Sequence, residues 1–328
     1  LDHTFAQKIS TCLVNPRACH ETVLRYEPAS VRKRVAVVGA GPAGLMTALV
    51  AAGRGHEVVL FEASDRLGGQ LNLARAVPGK EEFHGLVRWF EAEVARLGIG
   101  VRLGQAATVE ALGGFNEVVV ATGVLPRDPG IPGQEGPQVL SYVEVLQGAP
   151  VGPRVAVIGA GGIGFDVAEF LVQGGESPTL DPALWRREWG VGDPAEVRGG
   201  VVAPQPEAPA REVLLLQRRA EKPGRRLGRT TGWIHRAALQ MKQVRMLSGV
   251  SYQRILPEGL EILDASGERV LLAVDTVVLC AGQEPQRALA DALVAAGIPH
   301  HVIGGADVAA ELDAKRAIDQ GARLAATL

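Results

Sequence analysis

The chain has 328 residues, 47% hydrophobic, 21% charged and 4% aromatic, which is a globular balance and a length for two or three domains. A net charge of -2 with no basic tract excludes an electrostatic case for nucleic acid, and no apolar run approaches the length of a membrane span. The three cysteines Cys12, Cys19 and Cys280 are too few for a disulfide framework and suit a reducing compartment, so a cytoplasmic location is expected.

Residues 1 to about 30 carry Pro16 and Pro28 and no sustained period, and read as irregular. From Val31 the pattern changes. Arg34–Val38 is a short apolar run of buried-strand type, ending in Gly39-Ala40-Gly41-Pro42-Ala43-Gly44. An Ala/Leu-rich helix follows to Ala52, closed by Gly53 and Gly55, and residues 56–62 form the next strand. Parallel strands need a crossover helix, so this is a βαβ unit. Phe83, Leu86, Val87, Phe90, Val94 and Leu97 fall at helical spacing over 80–97. Residues 117–123 predict a buried strand running into a turn, and the Pro/Gly-rich 126–137 predicts a crossing between domains.

The pattern then begins again. Arg154–Ile158 leads into Gly159-Ala160-Gly161-Gly162-Ile163-Gly164 and a helix over 165–173. Residues 174–210 have little apolar periodicity and read as an insertion, after which Glu212–Gln217 restores a strand. Residues 275–282 repeat the strand-to-glycine pattern of 117–123. Residues 301–303 are the last strand, with a closing helix expected from about Glu311.

Gly39, Gly41 and Gly44 form G-x-G-x-x-G between a strand and a helix. In this setting the first glycine permits the tight turn and the second admits a pyrophosphate to the backbone. The third lets helix and strand pack closely, while free N–H groups at the helix start hold the negative charge. Glu62 ends the following strand, where a carboxylate can accept hydrogen bonds from a ribose 2′-OH. Gly159, Gly161 and Gly164 form the second fingerprint, and two readings compete for its partner residues. Asp181 lies at a suitable distance and would favour NAD, but residues 176–180 make a poor strand. Glu212–Gln217 is a better strand without a terminal acid, and Arg218, Arg219 and Lys222 after it would pair with the 2′-phosphate of NADPH. The bland alternative is that these cations are solvated surface charges.

Cys280 reads as a small buried hydrophobe, and no C-x-x-C is present to support disulfide reduction. The spacing of Cys12 and Cys19 does not assign them a role, and His20, His84 and His235 show no metal spacing. No catalytic residue stands out in this chain, as befits an enzyme whose cofactors perform the chemistry.

Four further stretches are more diagnostic than the glycines. They are Cys12-Leu-Val-Asn-Pro-Arg-Ala-Cys19-His-Glu-Thr22, Gly228-Arg-Thr-Thr-Gly-Trp-Ile-His235-Arg236, Cys280-Ala-Gly-Gln-Glu-Pro285 and Ile303-Gly-Gly-Ala-Asp307-Val308. With them, essentially the whole chain resembles the C-terminal half of the bacterial NADPH-dependent 2,4-dienoyl-CoA reductases. That family belongs to the NADH:flavin oxidoreductase group related to old yellow enzyme, which includes trimethylamine dehydrogenase. The resemblance implies an α/β fold of two nested Rossmann-like, doubly wound dinucleotide-binding domains in a glutathione-reductase-like arrangement.

The FAD-binding domain would comprise 31–125 and 285–328, the NADPH-binding domain 126–284, and residues 1–30 the remnant of an iron–sulfur segment. FAD would contact Gly39, Gly41, Gly44, Glu62, Arg66, Gln70, Thr122, Gly123 and Asp307. Arg66 and Gln70 could equally be surface-loop residues, and Asp307 could serve as a helix N-cap instead of, or as well as, a flavin contact. Family members also carry an N-terminal FMN-containing TIM barrel with the substrate site, and a [4Fe–4S] cluster. Cys12 matches the fourth cluster ligand and Leu1 would follow just after the third, so the resemblance implies a chain cut between them and a barrel half on the same or a separate polypeptide. Alone, such a chain would pass hydride from NADPH to FAD and act as a diaphorase. The alternatives are a demethylase or dehydrogenase relative, or a non-catalytic dinucleotide-binding fragment.

Overall fold

The computed structural model describes residues 2–310 and 313–328. The chain separates into two units, each built on its own five-stranded parallel sheet. Unit 1 takes residues up to Asn72, Glu82–Leu125 and Gln283–Leu328, and unit 2 takes Leu73–Glu81 and Pro126–Gly282. The fold is α/β and doubly wound, as expected.

In unit 1, β1 (Arg34–Val38) lies between Glu117–Val120 and β2 (Glu57–Phe61), with α1 (Pro42–Gly53) as the crossover. A parallel strand covered on both faces must be apolar on both, and Val35 to Val38 are all buried. Val35 and Val37 enter a core with α1 and the helices Phe83–Arg96 and Ala314–Ala325, while Ala36 and Val38 enter another with Leu112, Ala290 and Leu293. Each of the valines and leucines among them contributes about 1.5–3 kcal/mol through its removal from water.

Unit 2 repeats the plan. Here β3 (Arg154–Ile158), α2 (Gly162–Val172) and β4 (Glu212–Gln217) form the βαβ unit, and α3 (Gly232–Met241) packs beside α2. Val155 and Val157 meet the helices, and Ala156 and Ile158 meet a three-stranded antiparallel sheet over Ser251–Leu256, Gly259–Leu263 and Arg269–Leu272.

Three expectations shift. Residues 73–81, expected within 31–125, pack in unit 2. Leu73 joins the α2 core, Lys80 Nζ lies 2.5 Å from Asp166 Oδ2, and Thr179 Oγ1 donates to Glu81 at 3.0 Å. The closing helix begins at Ala314, capped by the Asp313 carboxylate accepting from Arg316 N, and Glu311 lies outside the described residues. The segment 174–210 has structure of its own, including the helix Pro182–Trp189. Glu188 on that helix forms a buried ion pair of 2.6 Å with Lys242, which fastens the insertion to unit 2.

Candidate functional site: two dinucleotide cradles

The two glycine loops share two backbone hydrogen bonds to their neighbouring strands. In unit 1, Gly39 N donates to Phe61 O at the end of β2, and Ala121 N donates to Val38 O. In unit 2, Gly159 N donates to Leu216 O near the end of β4, and Cys280 N donates to Ile158 O. Gly39 and Gly159 have φ of +104° and +113°, which a side chain rarely adopts. A Cβ on Gly44 would stand 1.9 Å from Gly39 O, and one on Gly164 would stand 1.7 Å from Gly159 O, so only glycine lets helix and loop close together. At Gly41 and Gly161 a Cβ would meet nothing within 4 Å, so the middle glycine of each loop faces open space. Both are the N-caps of their helices with no side chain accepting from the first turn, an arrangement that receives a pyrophosphate.

The other residues expected to hold the first nucleotide fall into two groups. Glu62 is fastened to the glycine loop, accepting from Ala40 N at 2.7 Å and from Ser64 N at 2.8 Å. Thr122 Oγ1 donates to Gln286 O at 2.6 Å, and Gly123 O accepts from Gln286 N, so this pair ties the returning chain to the strand end. Asp307 follows the short turn Gly304–Ala306, accepts from Gln320 Nε2 at 3.0 Å, and lies 3.6 Å from Arg287. It is not the N-cap of the closing helix, which is Asp313, because six residues separate Asp307 from that helix. Arg66 is exposed and paired with its neighbour Asp65 at 2.7 Å, and Gln70 is exposed and accepts from Gln283.

In unit 2 the second fingerprint opens on a cavity of about 510 Å³. Gly159 and Gly161 line it together with Arg127 and with Arg218, Arg219, Arg225 and Arg226 of the loop after β4. Lys222 is exposed and not among the lining residues, and the loop brings in Arg225 and Arg226 instead. Asp181 does not end a strand beside β3, since β4 pairs there with Arg154 opposite Glu212. The Asp181 carboxylate instead caps the insertion helix, accepting from Ala183 N at 2.8 Å and from Leu184 N. The register places Phe61 opposite Val38 and Leu216 opposite Ile158, so Gln217 is the counterpart of Glu62. Its amide donates to the carbonyls of Arg219 and Glu221, folding the arginine loop where the other unit has an acid.

Burial pushes the Cys280 thiol well above its ordinary range, so it is a packed hydrophobe and no nucleophile. His235 hydrogen-bonds Glu169 at 2.8 Å, which raises the imidazole pKa and joins α3 to α2. His20 bonds the Ala18 carbonyl and His84 is exposed. Cys12 is half-buried, and among the described residues no group of three or more His, Cys, Asp or Glu could hold a metal. These residues therefore do not make up the donor set of an iron–sulfur cluster. Unit 1 also carries an apolar groove of about 730 Å³, walled by Leu13, Val14, Tyr26, Phe83, Leu86 and Trp89. No helix of the described residues is long and apolar enough to cross a membrane.

Two nucleotide cradles on nested sheets define a class of flavoprotein, and comparison with known proteins agrees. The pyridine nucleotide-disulphide oxidoreductase family matches residues 33–315, and the chain belongs to it. A metal reductase of Desulforamulus reducens is 36% identical over 300 residues, covering 89% of this chain and 44% of that protein. A 2-naphthoyl-CoA reductase solved with 2-naphthoyl-CoA has a TM-score of 0.83 at 26% identity, covering 99% of this chain and 44% of that one. The chain thus spans less than half the length of these two relatives. The thioredoxin reductase of T. acidophilum shares the fold across 90% of this chain and 96% of its own, with a TM-score of 0.61 at 17% identity. This chain is an oxidoreductase module with binding domains for FAD and a nicotinamide dinucleotide.

Proposed function

We propose that the chain is the NADPH-to-FAD module of a larger reductase of the 2,4-dienoyl-CoA reductase type. The observation that carries the choice of NADPH is the set of four arginines that the 218–226 loop brings to the second cradle, with Gln217 where the first cradle has Glu62. Arginine forks match phosphate oxygens in geometry and charge, whereas a ribose 2′-OH calls for a carboxylate. When bound, the flavin accepts a hydride from the reduced nicotinamide. The chain's own residues bind and orient: Gly41 and Gly161 leave room for each pyrophosphate, and Glu62 stands over the first loop to receive the adenosine ribose of FAD. Thr122, Gly123 and Asp307 bound the rest of the flavin site, with Arg66 and Gln70 at its rim.

In the whole enzyme, electrons would pass through a [4Fe–4S] cluster, to which Cys12 contributes one ligand, to FMN in a TIM-barrel half that reduces an unsaturated acyl-CoA of fatty acid β-oxidation. The acyl-CoA bound by the 2-naphthoyl-CoA reductase supports that substrate class. The exposed apolar residues Leu13, Val14 and Trp89 near Cys12 support a covering partner on that face. The deciding measurement is anaerobic titration of FAD-reconstituted protein, followed at the flavin's visible absorbance maximum. NADPH is expected to bleach the flavin rapidly and NADH far more weakly; bound FAD that neither nucleotide bleaches would overturn the reading.

A further inference from the structure

The arginine cluster of the second cradle already holds an anion, and that anion is part of the chain. Glu221 places one carboxylate oxygen 3.6 Å from Arg219 Nη1 and 3.9 Å from Arg226 Nε, and its other oxygen 3.6 Å from Arg225 Nη1. Its backbone is fixed by Gln217, whose side-chain amide donates to Glu221 O. The Glu221 side chain is 26% exposed, against 58–72% for the three arginines round it, so it sits at the inside of the cluster. Four arginines and this glutamate all line the cavity that the Gly159–Gly161 loop enters.

Five cations gathered on one short loop, Arg218, Arg219, Lys222, Arg225 and Arg226, repel one another, and a resident carboxylate offsets part of that repulsion. A phosphate dianion carries more charge and three acceptor oxygens, so it replaces the carboxylate with a net gain. We propose that Glu221 is a built-in placeholder for the 2′-phosphate, competing with NADPH for Arg219, Arg225 and Arg226. This rests on the reading of the cavity as the NADPH site and adds a residue that tunes it. In the empty site Glu221 partly neutralises the cluster and holds it assembled. In the bound state it swings out, so each binding event exchanges one anion for another, and the affinity is held below what four free arginines would give. A nucleotide with a bare 2′-OH brings no charge to displace the carboxylate and gains nothing from its removal. Glu221 is thus a determinant of affinity specific to the phosphorylated ribose, and its competition favours release of the oxidised product.

The test compares the full chain with Glu221→Gln, using adenosine 2′,5′-bisphosphate as the phosphorylated probe and AMP as the probe without the 2′-phosphate, by calorimetry at several salt concentrations. Exposed ion pairs are individually weak, so the variant is expected to bind the bisphosphate about three- to tenfold more tightly, with AMP changed less than about twofold. The variant should also show the steeper salt dependence, because its arginines release bulk anions in place of a tethered one. Unchanged or weakened bisphosphate binding in a folded variant would overturn the placeholder while leaving the NADPH site standing. Failure of both proteins to bind the bisphosphate would overturn the two readings together.

Discussion

Gln217 and Glu62 occupy matching places at the ends of matching strands, yet each is spent differently. Glu62 is held by two backbone amides, one of them Ala40 of its own glycine loop. Gln217 turns its amide onto the loop that follows and shapes it round Arg218 and Arg219. A charge-assisted hydrogen bond is worth about 1.5–3 kcal/mol, so Arg218→Gln with Arg219→Gln should raise the KM for NADPH by about ten- to a hundredfold. Steady-state dye reduction with both nucleotides measures this, and a matching rise for NADH would deny the arginines a phosphate role. Both glycine fingerprints were legible in the sequence because they encode backbone requirements that no tertiary contact changes. Arg225 and Arg226 were not, because they reach the cavity only once Gln217 has folded the loop back. Asp307 was legible as a special position, but the helix it was expected to cap starts further on, at Asp313.

At the scale of elements, the insertion shows how a segment without apolar periodicity is held. Its helix Pro182–Trp189 is capped at one end by Asp181 and ended at the other by Gly190 in the left-handed conformation. Between these lies Glu188, buried against Lys242, which also donates to Glu207 O. Removing one partner of a buried pair strands the other charge, at a cost of about 3–5 kcal/mol. Glu188→Ala should therefore lower the free energy of unfolding by roughly that amount in urea, and Glu188→Ala with Lys242→Met should recover much of it. An unchanged midpoint in the single variant would show the pair to be dispensable. Neither half of this pair was visible beforehand, since a buried charge is recognised by its partner and the partner lies 54 positions away, at 242 against 188. The antiparallel sheet over 251–272 escaped notice for a related reason: its strands are short, and their apolar faces make sense only against Ala156 and Ile158.

On the scale of the whole molecule, unit 1 is assembled from pieces that flank unit 2 in the chain. The strand His301–Val302 completes its sheet beside Glu117–Val120, and Ala317, Ile318, Ala322 and Ala325 of the last helix are buried in its core. A chain ended after Gly282 should therefore lose FAD, which absorbance of the purified protein reports. Its unit 2, with sheet and cradle complete, should keep binding adenosine 2′,5′-bisphosphate. Retention of FAD by that shortened chain would show that the missing strand and helix are not needed.

The same interruption imposes an order on synthesis. A ribosome emits β1, α1 and β2 early, but the strand and helix that close their sheet and cover α1 emerge only after all of unit 2. Domains fold as units while the chain grows, so the second domain in the sequence is the first able to finish. Unit 1 must wait with an apolar face of α1 uncovered, which makes it the part of this module that calls for a chaperone, and makes the docking of its last strand and helix the later of the two folding events.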